Sequence, residues 1–374
     1  MVLEHISILN FKNIAEARLD FSSGVNCLIG NNGQGKTNVL DAIHYLSYCR
    51  CFAGVNDSGV IRHGEPFMML QGHYRRHGNE EDIALSYQRG KRKVVKRNEK
   101  EYKRLSQHIG LLPLVMISPM DWDLIRGTGE ERRRLMDQII SQGDKEYLDA
   151  LIRYNKALEQ RNSMIRHEMT DPLLFETVER ALDEHASLIH ARRAEWVEQF
   201  LPIFMNYYEA IAGGGEKVRL GYKTHLEGGK SMLRLLDENR QRDIAIGYTT
   251  RGVHRDDIEL WLDGHSMRRV GSQGQCKTYT IALRLAQFEF LKQRTATTPI
   301  LLLDDIFDKL DASRVENIMA VVTQPEGPFG QIFITDTNRT HLDHIVARTG
   351  DAGYAMMHVE KGVVTPTATG GGNE

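Results

Sequence analysis

Apolar positions alternate along Val2–Leu9, and a short apolar run, Val25–Ile29, ends at Gly30. The first pattern predicts a half-buried strand and the second a fully buried one. Asn38–Leu46 reads as a helix. Further strands are expected at Phe67–Tyr74, Ile83–Gln88 and Arg92–Arg97, and the glycines and charged turns between them predict an antiparallel sheet. From Glu130 to Met169 the period becomes helical, with Leu135, Ile139, Leu148, Leu151, Ile152, Leu158 and Ile165 in phase. A second helical run starts at Asp171, with Pro172 in its first position. Its apolar face carries Leu174, Val178, Leu182, Ile189, Trp196 and Phe200; Pro202 is expected to interrupt it and Gly213–Gly215 to end it. Neither run sustains the heptads of a long coiled coil, so an all-helical subdomain built on an antiparallel pair is expected.

The last third returns to an α/β pattern. Ile258–Leu262 predicts a strand with a turn at Asp263–Gly264, Gln275–Gln293 an amphipathic helix, and Ile300–Leu303 and Gln331–Thr335 buried strands. Thr365–Glu374 reads as a frayed tail. The organisation expected is one α/β domain split in sequence, residues 1–120 and 246–374, around a helical lobe at 121–245.

Composition narrows the class. The chain has 374 residues, 41% apolar and 26% charged, which excludes disordered and collagen-like chains. Four cysteines make no disulfide scaffold, and the Cys49-x-Cys51 spacing fits neither a zinc knuckle nor a redox motif. Cys27 reads as a small buried hydrophobe. No apolar run approaches the roughly 18 residues of a membrane span, and the N-terminus lacks a signal-peptide core, so a cytoplasmic protein with no membrane contact is expected. The net charge is only −2, yet nine basic residues against two acidic ones fall between Arg89 and Arg104. Such a ribbon suits phosphate contact with DNA through Arg89, Lys91, Arg92, Lys93, Lys96 and Arg97. The competing reading is a solvated hairpin whose charges blunt an exposed edge.

Gly30-Asn31-Asn32-Gly33-Gln34-Gly35-Lys36-Thr37 is a complete G-x-x-x-x-G-K-T phosphate loop between an apolar strand and a helix. Its backbone N–H groups would face the phosphates of ATP, Lys36 would reach the β- and γ-phosphates, and Thr37 would ligate Mg²⁺. Ile300-Leu301-Leu302-Leu303-Asp304-Asp305 is a buried strand ending in two carboxylates, which repel unless a cation is near. Asp304 suits Mg²⁺, and Asp305 stands where a general base for the attacking water would stand. Ser272-Gly274-Gln275 opens a helix 32 residues before Asp304, and Asp311 follows the second carboxylate. Alone, Ser272-Gln273-Gly274-Gln275 would be an ordinary capped helix start.

Together these motifs resemble the RecF family, recombination-repair ATPases of the ABC/SMC head class. The resemblance rests also on Phe11-Lys12-Asn13, on Ile117–Leu124 with Gly127 and Arg132–Asp137, on His254-Arg255-Asp256-Asp257, and on Leu310-Asp311. It spans nearly the whole chain and is weakest in the helical middle. It implies an ABC-type P-loop ATPase head, a mixed sheet with helices carrying an inserted all-helical second lobe. Ser272, Gly274 and Gln275 would be the signature that meets the γ-phosphate held by the other subunit of an ATP-dependent homodimer, and Asp311 the D-loop residue. The implied activity is slow, DNA-stimulated ATP hydrolysis that resets a clamp on gapped, single- or double-stranded DNA. The implied partners are RecO and RecR, and through them RecA, in DNA replication, repair and the DNA-damage (SOS) response. Three departures stand out. Val253 replaces the usual proline before His254, Cys276 interrupts the helix start, and Asp336-Thr337 follows the last buried strand where transporter ATPases carry a switch histidine. No glutamine marks a Q-loop.

Several residues carry two readings. Arg132–Arg134 would contact DNA or pair with carboxylates on their own helix. His254–Asp257 would sense nucleotide or the dimer partner, or form a network of ion pairs. Lys12 and Asn13 would touch nucleotide or close a strand-end turn. A transporter subunit would bring its signature closer than the 235 residues that separate Thr37 from Ser272. A small-molecule kinase would need neither the signature nor the basic ribbon, and an SMC-like structural head would need long heptad arms.

Overall fold

The computed structural model describes residues 1–169, 171–308, 310–324, 327–348 and 353–370. It divides into two compact units. The first comprises Met1–Asp121, Tyr207–Gly214 and Gln273–Glu374, the second Trp122–Asn206 and Gly215–Ser272.

The chain opens with β1 (Val2–Phe11), β2 (Ile14–Asp20), β3 (Val25–Ile29), α1 (Lys36–Tyr48), β4 (Phe67–Arg76), β5 (Asn79–Gln88), β6 (Val94–Arg97), β7 (Lys100–Glu101) and β8 (Leu114–Ile117). The second unit follows with α2 (Asp123–Arg126), α3 (Gly129–Gly143), α4 (Lys145–Arg166), α5 (Pro172–Ala212), β9 (Val218–Lys223), α6 (Met232–Ile246), β10 (Asp257–Leu262), β11 (His265–Ser266) and α7 (Met267–Val270). The last turns of α5 already belong to the first unit. That unit resumes with α8 (Gln273–Thr295), β12 (Ile300–Asp304), α9 (Ala312–Val322), β13 (Ile332–Asp336), α10 (Arg339–Arg348), β14 (Tyr354–Glu360) and β15 (Val363–Gly370).

The first unit holds two six-stranded sheets. One is antiparallel in the order β2-β1-β4-β5-β6-β7. The other has the order β15-β14-β3-β13-β12-β8, parallel except for the β14–β15 hairpin. Parallel strands are covered on both faces, which is why β8 and the opening residues of β12 and β13 read as continuous apolar runs; in β3 the run is broken by the buried Asn26, which accepts from the Ser22 N–H at 2.9 Å. One apolar cluster joins both sheets through α1, from Leu3, Ile6 and Ile8 through Val39, Ile43 and Leu46 to Leu302, Phe333 and Val359. The parallel strands end on the same edge, where open α/β sheets bind their ligands.

Four expectations change. Residues 365–370 are no tail but part of β15, paired with β14; residues 371–374 lie outside the described residues. The helical stretch after Glu130 is broken at Asp144, which caps α4 by accepting from the Tyr147 N–H at 2.9 Å. Pro202 lies inside an uninterrupted α5. The buried side chains on both sides of it, Trp196, Phe200, Phe204 and Tyr208, hold the helix together despite the lost backbone donor. The inserted lobe is mainly helical but also carries a three-stranded sheet, β11-β10-β9. Residues 246–272 therefore fall in the second unit, because β10 pairs with β9 along its whole length.

The second unit is built on buried ion pairs. Arg161 bonds Glu179 at 2.9 Å and Asp243 at 2.8 Å. Arg193 bonds Asp256 and Asp137, each at 2.8 Å, and Tyr222 donates to the same Asp256 carboxylate at 2.6 Å. Arg132 forks onto Asp257 at 2.7 and 2.9 Å, Arg133 donates to the Asp256 carbonyl, and Arg134 pairs with Glu130 on its own helix. His254, Asp256 and Asp257 are thus part of an internal network with Arg132 and Arg133 of α3, whereas Arg134 and Arg255 stay exposed. Removing one partner from such a network leaves a buried charge uncompensated.

His254 gives this unit a predictable acid sensitivity. Its Nδ1 faces the Tyr154 hydroxyl at 2.7 Å and its Nε2 the Thr249 carbonyl at 3.0 Å. Burial, helped by nearby cationic groups, pushes its pKa down from 6.5 to about 4. The unfolded chain therefore binds this proton first, and stability is lost as pH falls from about 6.5 towards 4. Between pH 7 and pH 5 the loss is about 2 kcal/mol, and His254→Gln should remove it. All three tryptophans, Trp122, Trp196 and Trp261, lie in the second unit. Urea unfolding followed by tryptophan fluorescence at the two pH values measures the difference.

Candidate functional site

The loop Gly30–Gly35 leaves the end of β3 and turns into α1, so the first turn of that helix faces the loop. Two glycines are required sterically. A Cβ at Gly30 would overlap the Val359 carbonyl oxygen of β14. Gly35 has φ 112°, and a Cβ there would lie 2.7 Å from the Asn13 amide. Asn13 braces the loop, donating to the Gln34 carbonyl at 3.1 Å and accepting from Asn38 at 2.8 Å. The β14–β15 turn adds two bonds, Gly362 N–H to the Gln34 carbonyl and Lys361 N–H to its side chain, both 2.8 Å. Lys12 has φ 51° and pairs with the buried Asp41 of α1 at 2.7 Å. Asn13 therefore shapes the loop, while Lys12 is committed to α1.

Strand register brings the distant carboxylates here. Asp304 pairs with Thr335 across β12–β13, and Asp336 with Ile29 across β13–β3. Three acidic groups, Asp304, Asp305 and Asp336, so gather beside Lys36, and Thr37 meets Asp304 from 267 positions away in sequence. Thr37 Oγ1 donates to the Asp304 carboxylate, 2.9 and 3.0 Å from its two oxygens, and Thr335 Oγ1 donates to Oδ1 at 2.7 Å. Burial raises the Asp304 pKa, against the pull of these two hydroxyls. Asp305 adopts φ 49° and is held by its N–H at 3.2 Å from both the carbonyl and the hydroxyl of Thr335. Burial raises its pKa too, and the Asp336 charge adds to that. Left-handed backbone at a non-glycine residue is uncommon, although aspartate tolerates it better than most. Lys36 is buried, and its Nζ donates to the Gly30 carbonyl at 2.6 Å and the Asn31 carbonyl at 3.1 Å. Burial lowers its pKa, while Asp305, Asp304 and Asp336 oppose that shift.

Thr37 and Asp304 offer two hard oxygens at one point, which suits Mg²⁺. Among the described residues no group of three or more His, Cys, Asp or Glu forms a metal cage. Magnesium habitually completes its shell from phosphate and water, so the donor set fits. Thr335 and Asp336 escaped the sequence reading, because only strand pairing reveals them.

The residues expected to form a signature divide. Gly274 and Gln275 lie in the first turn of α8, and Ser272 immediately precedes that helix, on the other side of the unit boundary. Asp311 caps α9, accepting from the Arg314 N–H at 2.9 Å. Arg314 also donates to Thr278 of α8 at 3.1 Å, which ties the Asp311 turn to the start of α8. Asp336 is paired with His341 at 2.9 Å, so a histidine does reach this edge, five residues beyond the strand.

The basic ribbon occupies β6, β7 and their flanks, and it is narrower than its sequence. Lys93 turns inward onto the Cys49 carbonyl at 2.5 Å and Asp57 at 2.7 Å, over the Tyr45 ring. Arg97 forks onto the buried Glu81, its Nε at 2.7 Å. These two are structural. Arg89, Lys91, Arg92 and Lys96 remain exposed, although Arg89 bonds the Glu65 carbonyl and Arg92 the Lys103 carbonyl, each at 3.3 Å.

The brace on the loop is testable. Asn13→Ala should leave the fold intact and free the loop. Hydrogen exchange of the Gly362 amide should accelerate roughly fivefold, the equivalent of about 1 kcal/mol for one hydrogen bond.

The chain resembles known proteins over nearly its whole length. Residues 2–365 match the RecF/RecN/SMC N-terminal domain family. The DNA replication and repair protein RecF of Parabacteroides distasonis is 52% identical over 366 residues, 98% of this chain and 99% of the relative. A solved structure described as the recombination mediator protein RecF-ATP in the RecFOR pathway superposes with a TM-score of 0.87 at 29% identity, covering 98% of each chain. The Smc head domain of Pyrococcus furiosus, at 17% identity and a TM-score of 0.59 over 99% of this chain and 96% of its own, shares the fold. The fold is thus that of an ABC/SMC-type head, and the chain belongs to the RecF family of DNA replication and repair proteins.

Proposed function

We propose that this chain is an ATP-switched DNA-binding protein whose hydrolysis of ATP, with Mg²⁺, resets an ATP-dependent homodimer. The observation that carries the reading is the meeting of Lys36, Thr37 and Asp304 at the end of three neighbouring parallel strands. In it, the loop N–H groups from Gly30 to Gly35 and the α1 N-terminus bind the phosphates. Lys36 leaves its carbonyl partners for the β- and γ-phosphates, and the carboxylates around it keep it charged. Thr37 and Asp304 hold Mg²⁺, which would neutralise charge developing on the phosphates. Asp305 accepts the proton of the attacking water on a carboxylate oxygen. Ser272 and Gly274 of one subunit close over the γ-phosphate of the other, with Asp311 at the same junction.

The near-neutral chain with exposed Arg89, Lys91, Arg92 and Lys96 on one ribbon supports DNA phosphate contact there. Family membership supports RecO and RecR as partners, RecA loading at gapped DNA as the outcome, and a cytoplasmic setting. Among the described residues no helix is long and apolar enough to cross a membrane.

Two variants test the switch. Asp305→Asn should cut steady-state hydrolysis by on the order of 10²–10⁴, the usual worth of a general base, while ATP still binds and the dimer persists. Sedimentation with ATP, Mg²⁺ and gapped DNA, set beside phosphate release, measures both; hydrolysis at the parent rate assigns the base elsewhere. Ser272→Arg should bind ATP as a monomer with parent affinity and fail to dimerise. Dimerisation of that variant at the parent ATP concentration would refute the trans-acting signature.

A further inference from the structure

The outer face of the antiparallel sheet has a feature that the nucleotide site does not use. Residues that point away from the core on β1, β4, β5 and β6 line a depression of about 600 Å³. Strand register arranges them in rows across the sheet. Ser7, Gln71, Ala84 and Lys96 form one row, and Met69, Ser86 and Val94 a second. His5, His73 and Asp82 form the third.

Three properties set this face apart from an ordinary solvated sheet. Its centre carries Ser7, Ala84 and Ser86 where long charged side chains would usually cover the pleat, so the floor is low and flat. One wall is a stacked imidazole pair, His5 on His73, with centroids 4.8 Å apart and planes 9° apart. Two carboxylates at that wall are engaged, Asp82 with His73 at 2.7 Å, and Glu4 with Arg75 at 3.1 Å and His73 at 3.5 Å, while the exposed Asp20 of β2 lies across from His5. Lys96 of β6 then stands at the opposite end, a few residues after the exposed Arg89, Lys91 and Arg92, with Glu99 at the rim.

We propose that this trough is a single-stranded DNA site, in which two or three unstacked bases lie across the β1-β4-β5-β6 face while the ribbon beside Lys96 holds their phosphates. Three interstrand steps of about 4.8 Å give a floor about 14 Å long, the length over which sheet-based binders splay two or three bases. Flat bases suit a floor of small residues, and one base would extend the His5–His73 stack. Ser7, Gln71 and Ser86 supply hydrogen bonds to base edges. A peptide strand fits poorly, because every strand under the trough already has both edges paired. The ribbon alone would track phosphates of any DNA; the trough adds a preference for unpaired bases, as a protein acting at gaps requires. The inference rests on the DNA reading proposed above.

The test compares a fluorescent oligo-dT strand with a duplex of the same length, by anisotropy at fixed salt. Ala84→Ile with Ser86→Ile fills the trough with strand-favouring, uncharged side chains on an outward face. It should weaken single-strand binding about tenfold or more, since each stacked base contributes roughly 1–3 kcal/mol, and leave duplex binding unchanged. Lys91→Gln with Arg92→Gln should weaken both. Independently, a 5-bromodeoxyuridine strand irradiated on the parent protein should crosslink to peptides containing Ser7, Met69 or His73. Unchanged single-strand affinity in the filled variant, or crosslinks confined to other peptides, overturns the trough and leaves the DNA reading standing. A parent protein that binds neither DNA overturns both. Loss of self-association with DNA binding intact would make the trough a contact between copies and refute the proposal.

Discussion

The site depends on one constraint, the parallel pairing of β3, β13 and β12. That register places a loop rich in N–H donors beside two strand ends that carry Asp304 and Asp336. Three carboxylates in a partly buried cleft would repel one another strongly without a cation. The Lys36 ammonium, held on the Gly30 and Asn31 carbonyls, is the positive charge in their midst. The same crowding favours any incoming cation, since added positive charge relieves repulsion already present. Asn13 and the β14–β15 turn hold the loop that this balance needs, from opposite ends of the chain.

Charge elsewhere serves a different end. In the second unit, Arg161 and Arg193 are almost wholly buried, and each is matched by two carboxylates. Such networks contribute little net stability, but they tolerate no single deletion, so they hold a set of helices and a small sheet in one arrangement. His254, Asp256 and Asp257 belong to this group. Dense polar sequence is therefore no guide by itself to a ligand site in this protein. What separates the nucleotide site is an excess of acid over base at one sheet edge, whereas the second unit's arginines and carboxylates neutralise each other.

The basic ribbon shows the same economy. Nine cations within sixteen residues look alike in sequence, yet Lys93 caps the C-terminal end of α1 through the Cys49 carbonyl and Arg97 satisfies a buried glutamate. Of the cations that remain exposed, Lys96 lines the polar trough, and Arg89, Lys91 and Arg92 precede it on the β5–β6 connection.

Contiguous chemistry was legible from the chain itself. The phosphate-loop motif, the apolar strand before Asp304 and the antiparallel pattern of the first sheet are all local. Each depends on residues whose spacing matches one loop, one strand or one helix turn. Register was not legible. Thr335 and Asp336 enter the site only because β13 slots between β3 and β12, and β10 leaves the ATPase unit only because β9, some forty residues earlier, supplies its partner. Pro202 sits inside a helix because tertiary burial of its neighbours outweighs a missing hydrogen bond. Which of several like-charged side chains turns inward was also decided in three dimensions, by whether a buried oxygen lay within reach. A sequence specifies its local preferences residue by residue, but pairing and burial are properties of segments far apart along the chain, and only the folded arrangement determines them.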